Sequence, residues 1–372
     1  MRAVAAGTLL AALGAFAPCA VAAPRSAKVC ATCHGPIQRA WQASVKSSSW
    51  TNPVFQAGYA EARESRGAAA AQRCLSCHVP LAAAMNDTQV TDPVAQEGIT
   101  CNFCHNVSAV EASPRAASYE YDAAHPNLMR GPYADAAPGS AHDAAFNESM
   151  TKSDFCASCH WGENDKGVAF ETTYLEWKRS RAAAVGQTCQ SCHMPPAPGK
   201  ASPLAKKQRP EVYAHSFIGP RTAGGLDSIA SLGAAVQEGR LRLAIRNSRA
   251  GHSLPGGGHS MRAITLEAAF FDAGGKEIAR VPVAMYGTEF ADSSGAAPVP
   301  KWLAAKVSRS RSIPADSTIE EWVPIPAGAK RALALLTYHP VAPAYRARLL
   351  ARHVDLAGRD PVVIARAEVP LP

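Results

Sequence analysis

The sequence predicts an α+β protein in which a loop-rich, mainly helical N-terminal part precedes an antiparallel β-sandwich. Paired cysteines are confined to residues 30–193, where long periodic apolar runs are few. After residue 235, short segments with alternating apolar residues follow one another, separated by turn residues such as Ala273-Gly274-Gly275. A period of two is typical of strands that bury one face. These observations divide the chain into two parts.

The first 22 residues are predicted to be a signal peptide. Arg2 precedes an apolar stretch, and Ala20-Val21-Ala22 has the small residues of a cleavage site. The stretch is short, and no later run has the roughly 20 apolar residues of a membrane-spanning helix. We therefore expect a mature chain from Ala23 without an integral membrane segment, located in the periplasm, outside the cell or at the outer membrane.

Ten of the eleven cysteines belong to five Cys-x-x-Cys-His motifs. In c-type haem attachment, two thiols at this spacing bond the porphyrin and the histidine ligates the iron. Paired cysteines also hold structural zinc, but zinc explains neither the histidine after every pair nor the predicted export. We therefore expect five covalently bound c-type haems. The motifs are Cys30/Cys33/His34, Cys74/Cys77/His78, Cys101/Cys104/His105, Cys156/Cys159/His160 and Cys189/Cys192/His193.

Haems would also explain how the N-terminal part folds. Large apolar porphyrins can fill an interior that aliphatic side chains do not, between short helices that end at each attachment histidine. Candidate helices are Pro36–Ser47, Pro53–Arg66 and Thr172–Ala184. The formal net charge of +8 is weak evidence for nucleic-acid binding, and we expect none. Many Lys and Arg side chains would instead pair with haem propionates.

The C-terminal part has six clear strand patterns, at 241–248, 262–273, 277–287, 320–326, 331–340 and 362–371. Six or seven strands at this spacing predict a β-sandwich. The Pro-rich and basic segment Met194–Pro210 is predicted to be an exposed linker. The predicted domains are a signal peptide at 1–22, a pentahaem cytochrome c domain at 23–220 and a β-sandwich at 221–372.

Several phrases resemble a family of multihaem c-type cytochromes related to the tetrahaem electron acceptor of hydroxylamine oxidoreductase. They cover most of residues 30–260 and include PVFQAGY, RCLSCHVPLA, EGITCNFCHNV, SAHDAAF, HSFIGP and AGHSLPGG. The later strands, with SIPADS, are similar to the β-sandwich that many members carry. The resemblance implies electron transfer and distal histidine ligands outside the attachment motifs.

The family pattern implies that His142, His215 and His252 are distal iron ligands. His125 in DAAHPNLMRGP is a further candidate, and His259 is either a ligand or a bystander. The alternative for each lone histidine is a hydrogen-bonded surface or core residue. For His339 and His353, late in the β region, we favour that alternative.

Lys46 stands where relatives have a distal histidine, in the frame Trp41-x-x-Ser44-x-Lys46. Its neutral amine could ligate iron, or it could leave an iron open and supply a cation to a propionate or bound anion. The third interpretation is a solvated helix lysine. Met150 also stands where relatives often have histidine, and it could ligate iron or be a core residue.

The main hypothesis is electron transfer between redox partner proteins outside the cytoplasm, with the protein setting the potentials through ligands, burial and charge. The first alternative is a multihaem reductase or oxidase of a small nitrogen or sulfur compound, for which Lys46 nominates the open-faced haem. The second alternative is a polymerising extracellular conduit, because an exposed sheet edge can mediate assembly. An oligomer is possible, and the sequence nominates no catalytic residue.

Overall fold

The computed structural model describes residues 24–115, 117–257 and 261–372. The predicted signal peptide and His259 lie outside these ranges. Helices and short two-stranded sheets form the N-terminal part, and larger antiparallel sheets begin at Ala230. The predicted α+β class is therefore confirmed. No helix in the described ranges has the length and apolarity to cross a membrane.

The helices of the N-terminal part are short, as expected. Two 3₁₀ turns, Ala95–Glu97 and Glu148–Thr151, accompany them. The α-helices are α1 (Ala27–Gln42), α2 (Pro53–Arg66), α3 (Ala68–His78), α4 (Pro80–Ala84), α5 (Cys101–Asn106), α6 (Asp154–His160), α7 (Thr173–Lys178), α8 (Arg181–Ala184), α9 (Cys189–His193) and α10 (Pro343–Ala351).

The attachment motifs form helix ends. Helices α3, α6 and α9 end at the motif histidine, α5 ends one residue after it, and α1 has a non-helical kink at His34. Thr100 and Thr188 cap α5 and α9 by accepting bonds from the backbone N–H groups of Phe103 and Ser191. The predicted helix end at the motif histidine is therefore found at three motifs and one residue later at the third motif, but not at the first motif, where α1 continues to Gln42.

Helix α1 differs from the predicted helix Pro36–Ser47, because it begins earlier and ends at Gln42. The Ser44 hydroxyl donates to the Trp41 carbonyl and accepts from the Lys46 N–H, which replaces helical bonds with a turn. Lys46 therefore lies in a turn and not on a helix. The predicted helix Pro53–Arg66 matches α2, whereas Thr172–Ala184 is interrupted between α7 and α8.

Four pairs of short strands connect the helices. Three pairs are antiparallel and one, β3 with β4, is parallel. The pairs are β1 (Val107–Val110) with β2 (Tyr119–Tyr121), β3 (Leu128–Gly131) with β4 (Asp143–Phe146), β5 (Gly162–Glu163) with β6 (Ala169–Glu171), and β7 (Pro196–Gly199) with β8 (Arg209–Tyr213).

The predicted linker Met194–Pro210 is not a free extended segment. Its ends pair as β7 and β8, and between them the Ser202 hydroxyl donates to the Cys33 carbonyl. The linker is rich in proline, alanine and basic residues and has no regular apolar pattern, so the sequence did not reveal that it contacts the first motif.

Eight strands form two antiparallel sheets in the C-terminal part. One sheet has the order β14-β10-β9 and the other β13-β12-β11-β15-β16. In the first, Leu243 pairs with Ala234 and Glu321. The strands are β9 (Ala230–Gln237), β10 (Arg240–Asn247), β11 (Ala263–Phe271), β12 (Glu277–Ala291), β13 (Lys306–Arg311), β14 (Thr318–Pro324), β15 (Arg331–His339) and β16 (Val362–Pro370).

Alternation along these strands creates one apolar core between the sheets. Leu241, Leu243 and Ile245 of β10 pack in the same buried cluster as Phe270 of β11 and Leu336 of β15. Six of the eight strands were predicted. The sequence missed β9, whose residues are small, and β13, which is polar and fully exposed, because neither has a strong alternating apolar pattern.

Helix α10 joins the two parts. Tyr345 and Leu349 of α10 share a buried cluster with Val54 of α2, and Arg348 forms an ion pair with Glu61 of α2. Burial of this cluster favours a fixed arrangement of the two parts.

Gly98 permits a close approach between two segments that carry site residues. Its φ is +82°, and an added Cβ would lie 2.4 Å from Ser49 Oγ and 2.7 Å from the Lys46 carbonyl oxygen. Gly67 has a similar φ of +84°, but an added Cβ there would meet nothing within 4 Å. An added side chain at Gly67 would therefore meet backbone strain alone, whereas one at Gly98 would meet strain and overpacking together.

We expect Gly98→Ala to lower the free energy of unfolding by about 1–3 kcal/mol more than Gly67→Ala, because only the first adds overpacking to strain. Chemical denaturation followed by far-ultraviolet circular dichroism would measure the difference. Equal losses in the two variants would contradict the close approach at Gly98.

Candidate cofactor-binding centre

All fifteen residues of the five motifs line one internal cavity of about 1740 Å³. Ordinary small-molecule sites are roughly 300–1,000 Å³. His142, His215, His252, Lys46 and Met150 line the same cavity. Among the described residues, the structure thus brings together His142, His215, His252, Lys46 and Met150 but not His125.

Three motif histidines are oriented by the backbone. The Nδ1 atoms of His34, His105 and His193 bond to the carbonyl oxygens of Ala201, Arg130 and Ile218, at 2.8, 2.6 and 2.5 Å. A carbonyl only accepts, so each Nδ1 carries the proton and Nε2 keeps a free lone pair. Such bonds fix the orientation of metal-ligating histidines.

The same arrangement holds for the three histidines outside the motifs. Nδ1 of His142 donates to the Asp143 carbonyl, that of His215 to the Tyr213 carbonyl, and that of His252 to the Ser253 carbonyl. These bonds measure 2.8 to 2.9 Å. Each of these rings also keeps Nε2 free to ligate.

Each of these three histidines faces one motif histidine. The pairs are His34 with His142, His105 with His215, and His193 with His252, and in each pair the ring centres are 6.3 Å apart. The ring planes are within 28°, 18° and 10° of parallel. Rings in direct face contact are closer, as for Phe55 and His78 at 4.1 Å.

The 6.3 Å separation leaves room for one metal ion. An imidazole nitrogen bonds a metal at roughly 2 Å and lies about 1 Å from its ring centre, so two imidazoles on opposite sides of one ion have centres roughly 6 Å apart. Two imidazole nitrogens on opposite sides are a suitable axial donor set for haem iron. The residues present therefore fit haem iron at three of the five motifs.

His252 reaches the cavity from the loop after β10. The Asn247 side chain donates to the His252 carbonyl, and the Glu176 carboxylate accepts from the Ser253 N–H. An added Cβ at Gly256 would lie 2.8 Å from His252 Nδ1. The absence of a side chain at position 256 therefore allows the ring to occupy this position.

Burial keeps several of these imidazoles neutral, which is the form that ligates metal. Burial lowers the pKa of His105, His193 and His252. Burial, with a contribution from the nearby His105, lowers the pKa of His215 to about 4.

His78 and His160 differ from the other motif histidines. Among the described residues, neither faces a second histidine at such a distance, and no carbonyl accepts from its Nδ1. The ring of Phe55 stacks on His78. Burial lowers the pKa of His78 to about 3, with contributions from the charges of Lys301 and Lys46. Burial lowers the pKa of His160, and the largest contribution from a charge is that of Lys46.

Lys46 points into the cavity from the turn after α1. Its Nζ lies 5.6 Å from the centre of the Phe217 ring. The Lys46 carbonyl accepts from the Ile99 N–H, and the Ser49 hydroxyl donates to the His78 carbonyl. The turn is therefore bonded to the second motif and to the segment just before the third.

His125 is not placed with the other candidates. Its side chain is 69% exposed, and Nδ1 bonds to the Asp122 carboxylate at the surface. It does not line the cavity that the other candidate ligands share. This placement argues against the ligand role that the sequence suggested. Met150 lines the cavity, and its carbonyl accepts from the Gln190 side chain.

Neighbouring motifs contact one another through their thiols. The side chain of Cys30 interacts with that of Cys101, Cys77 with Cys159, and Cys156 with Cys189. The first motif therefore adjoins the third, and the fourth adjoins both the second and the fifth. None of the ten described cysteines forms a disulfide.

Among the charged side chains of the cavity wall, basic ones outnumber acidic ones. Three acidic side chains line it: Asp165, Glu171 and Asp316. Apart from Lys46, sequence reasoning missed these basic residues, because they lie outside any motif. The basic side chains are Arg25, Lys46, Arg66, Arg73, Arg130, Lys166, Arg181, Arg221, Arg249, Arg262, Lys301 and Arg359.

Comparison with known proteins agrees with the cofactor expectation. Residues 29–106, which contain the first three motifs, match the family described as cytochrome c554 and c-prime. No curated protein matches the chain. The family match and the five motifs together support a multihaem c-type cytochrome with covalently bound haems and iron.

The whole fold is similar to a solved structure, described as a penta-heme cytochrome c552 from Thermochromatium tepidum. The similarity has a TM-score of 0.72 and 22% sequence identity, and it covers 93% of this chain and 99% of that chain. At this identity the comparison shows a shared fold.

The pairing of His193 with His252 predicts the effect of removing one partner. In the haem-loaded protein, we expect His252→Ala to convert one haem of five from low-spin to high-spin, because its iron loses one axial nitrogen. Electron paramagnetic resonance and absorption spectra of the ferric protein would detect the change. His125→Ala is the control and should leave the spectra unchanged. Identical spectra for His252→Ala and wild type would contradict the pairing.

Proposed function

We propose that the protein is a pentahaem c-type cytochrome that transfers electrons between redox partner proteins outside the cytoplasm. One observation carries the proposal: five Cys-x-x-Cys-His motifs line a single cavity, and three of their histidines face a further histidine across a gap that fits one metal ion. A tetrahedral zinc site would not leave two imidazoles on opposite sides of one ion.

The chain would hold each haem by the two cysteines and the histidine of one motif. His142, His215 and His252 would be the distal ligands at the first, third and fifth motifs. Each haem, when bound, would supply one iron that alternates between the ferric and ferrous states. The backbone carbonyls bonded to Nδ1 would keep the ligands in place during that change, so little reorganisation of the protein is needed.

Contacts between motifs support a relay. The thiol contacts connect the first motif to the third, and the fourth to the second and fifth. The charge of Cys159 also acts on Cys104, which brings the third motif near the fourth. Attachment sites this close would let electrons pass between centres within one chain, in an order that differs from the order in sequence.

The basic side chains of the cavity wall are suited to pair with haem propionates inside the protein. Haem propionates are carboxylates, and Lys and Arg side chains pair with carboxylates by charge-assisted hydrogen bonds. Twelve basic and three acidic side chains line the cavity. Much of the net positive charge would therefore be used internally, and it gives no support to nucleic-acid binding.

We further propose the domain boundaries and location given by the sequence: a signal peptide at 1–22, a cytochrome domain at 23–220 and a β-sandwich at 221–372. Export and haem attachment are consistent with a periplasmic, extracellular or outer-membrane-associated protein. The relationship to the electron acceptor of hydroxylamine oxidoreductase rests on the sequence phrases. An assembly through β13 receives little support, because Lys306, Arg309 and Arg311 place charges on this exposed edge strand.

A second candidate is a reductase or oxidase of a small nitrogen or sulfur compound. The observation that favours it concerns His78 and His160, which face no second histidine among the described residues, while Lys46 and Lys301 place positive charge near them. An iron with an open face beside a cation could bind a small anion.

The relay makes a prediction for the purified protein. Intact-mass spectrometry should give the chain from Ala23 plus five haems, and a reductive titration should take up five electrons per chain. Four or fewer haems in a fully matured sample would contradict the proposal. A high-spin ferric signal that changes on addition of nitrite, hydroxylamine or sulfite would favour the enzyme instead.

For Lys46, we propose a role on the distal side of a haem, as a ligand through its amine or as a cation beside a bound anion. Three features support this: its place in a frame where relatives have histidine, its position on the cavity wall, and its turn bonded to the second motif. The interpretation as a solvated helix lysine receives no support, because the residue lies in a turn and faces the cavity.

Variants at Lys46 test this role. If the amine ligates iron, Lys46→His should keep the low-spin state and Lys46→Ala should create one high-spin haem. If it acts only as a cation beside an open iron, Lys46→Ala should keep the wild-type spin states and lower one reduction potential, whereas Lys46→His should convert one high-spin haem to low-spin. The control is Lys28→Ala, since Lys28 is exposed and outside the cavity wall. Wild-type spectra and potentials in both Lys46 variants would contradict either role.

A further inference from the structure

Two buried hydrogen-bond donors at the cavity lack partners among the described residues. They are the hydroxyl of Tyr345, a residue that is 8% exposed, and Nε1 of Trp302. Both residues line the cavity. A buried donor without an acceptor loses its hydrogen bond to water and gains none in the protein, so native proteins seldom keep one unpaired. Two such donors on one wall indicate that an acceptor belongs there.

Both donors lie next to the second attachment motif. An added Cβ at Gly58 of α2 would be 3.1 Å from Trp302 Cη2 and 3.6 Å from the Tyr345 oxygen. Trp302 also packs against the buried cluster that contains Tyr59 and Leu75, and Cys74 of the second motif packs against the same cluster. Through the shared cluster and the shared neighbour Gly58, both donors lie on the side of the cavity that carries the second motif.

A positively charged side chain lies on the same wall of the cavity. Lys301, adjacent to Trp302, lines the cavity, and its Nζ lies 4.9 Å from the centre of the Phe170 ring. Its charge contributes to lowering the pKa of His78 and acts on Cys74, which agrees with its position near the second motif. Lys301 has no carboxylate within ion-pair distance among the described residues.

The nearest acidic groups already have partners. Glu61 is paired with Arg348, and Asp165 is paired with Arg73. The buried Glu171 accepts bonds from the backbone N–H and the hydroxyl of Thr173. None of these carboxylates accepts from Tyr345 or Trp302.

We propose that Tyr345, Trp302 and Lys301 form a carboxylate-binding site, through which the C-terminal part holds a propionate of the haem attached at Cys74 and Cys77. A carboxylate only accepts hydrogen bonds, so two donors and one cation are complementary to it. The inference rests on the proposed function, because the propionate comes from the haem at the second motif.

The site has a consequence for reduction. Donors and a cation offset the negative charge of a propionate, which otherwise favours the ferric state of the nearby iron. Intact contacts would therefore raise the reduction potential of the second haem relative to a protein that lacks them. The C-terminal part would tune one haem without supplying a ligand to its iron.

The test uses Tyr345→Phe, Trp302→Phe and Lys301→Met in the full-length, haem-loaded protein. Tyr286→Phe is the matched control, because its hydroxyl also belongs to the C-terminal part but donates to Glu321 and does not line the cavity. Haem content is measured by intact mass, and the five potentials are measured by spectroelectrochemical titration. If Tyr345→Phe or Trp302→Phe does not fold, Lys301→Met still tests the same site.

We expect one of the five potentials to move to more negative values in each variant, with five haems retained and the control unchanged. Five unchanged potentials in Tyr345→Phe and Lys301→Met, with five haems present, would overturn the carboxylate site while leaving the proposed function intact. A wild-type protein without a haem on the peptide of Cys74 and Cys77 would overturn both.

Discussion

The hydrogen bond from a histidine Nδ1 to a backbone carbonyl is the interaction on which the site depends. It occurs at six histidines and in every case leaves Nε2 as the nitrogen that can ligate. For the three histidines outside the motifs the carbonyl lies one or two residues away, whereas for the three motif histidines it comes from a distant segment. For example, Ala201 orients His34, and Ile218 orients His193. Folding of the whole N-terminal part is therefore a condition for correct ligation.

This dependence explains why the two parts of the chain form one functional unit. The loop after β10 carries His252 to the fifth motif, and α10 packs on α2, next to the second motif. Tyr345 of that helix and Lys301 before β13 place polar groups on the cavity wall. The C-terminal sheets have their own core between β10, β11 and β15, and Ile264 and Tyr338 of this core also line the cavity.

The sequence predicted the local features well, because they depend on nearby residues. Helix α2 and the helix ends at the motifs follow from caps and spacing, and the strong strands follow from alternation. Long-range features were harder to predict. No sequence pattern indicates that His142 faces His34 or that His125 lies at the surface beside Asp122. Lys301, Trp302 and Tyr345 lie outside any motif, so their convergence is visible only after the chain is folded.

The five motifs are not equivalent, and the two exceptional ones are neighbours. His78 and His160 face no second histidine among the described residues, and the thiols of their motifs, Cys77 and Cys159, interact. The charge of Lys46 acts on both histidines, and that of Lys301 acts on His78. Positive charge near an iron favours its ferrous form, whereas a second imidazole favours the ferric form. In the proposed relay, electrons that enter at the paired-histidine centres would therefore collect at the second and fourth motifs, of which the fourth adjoins the second, third and fifth.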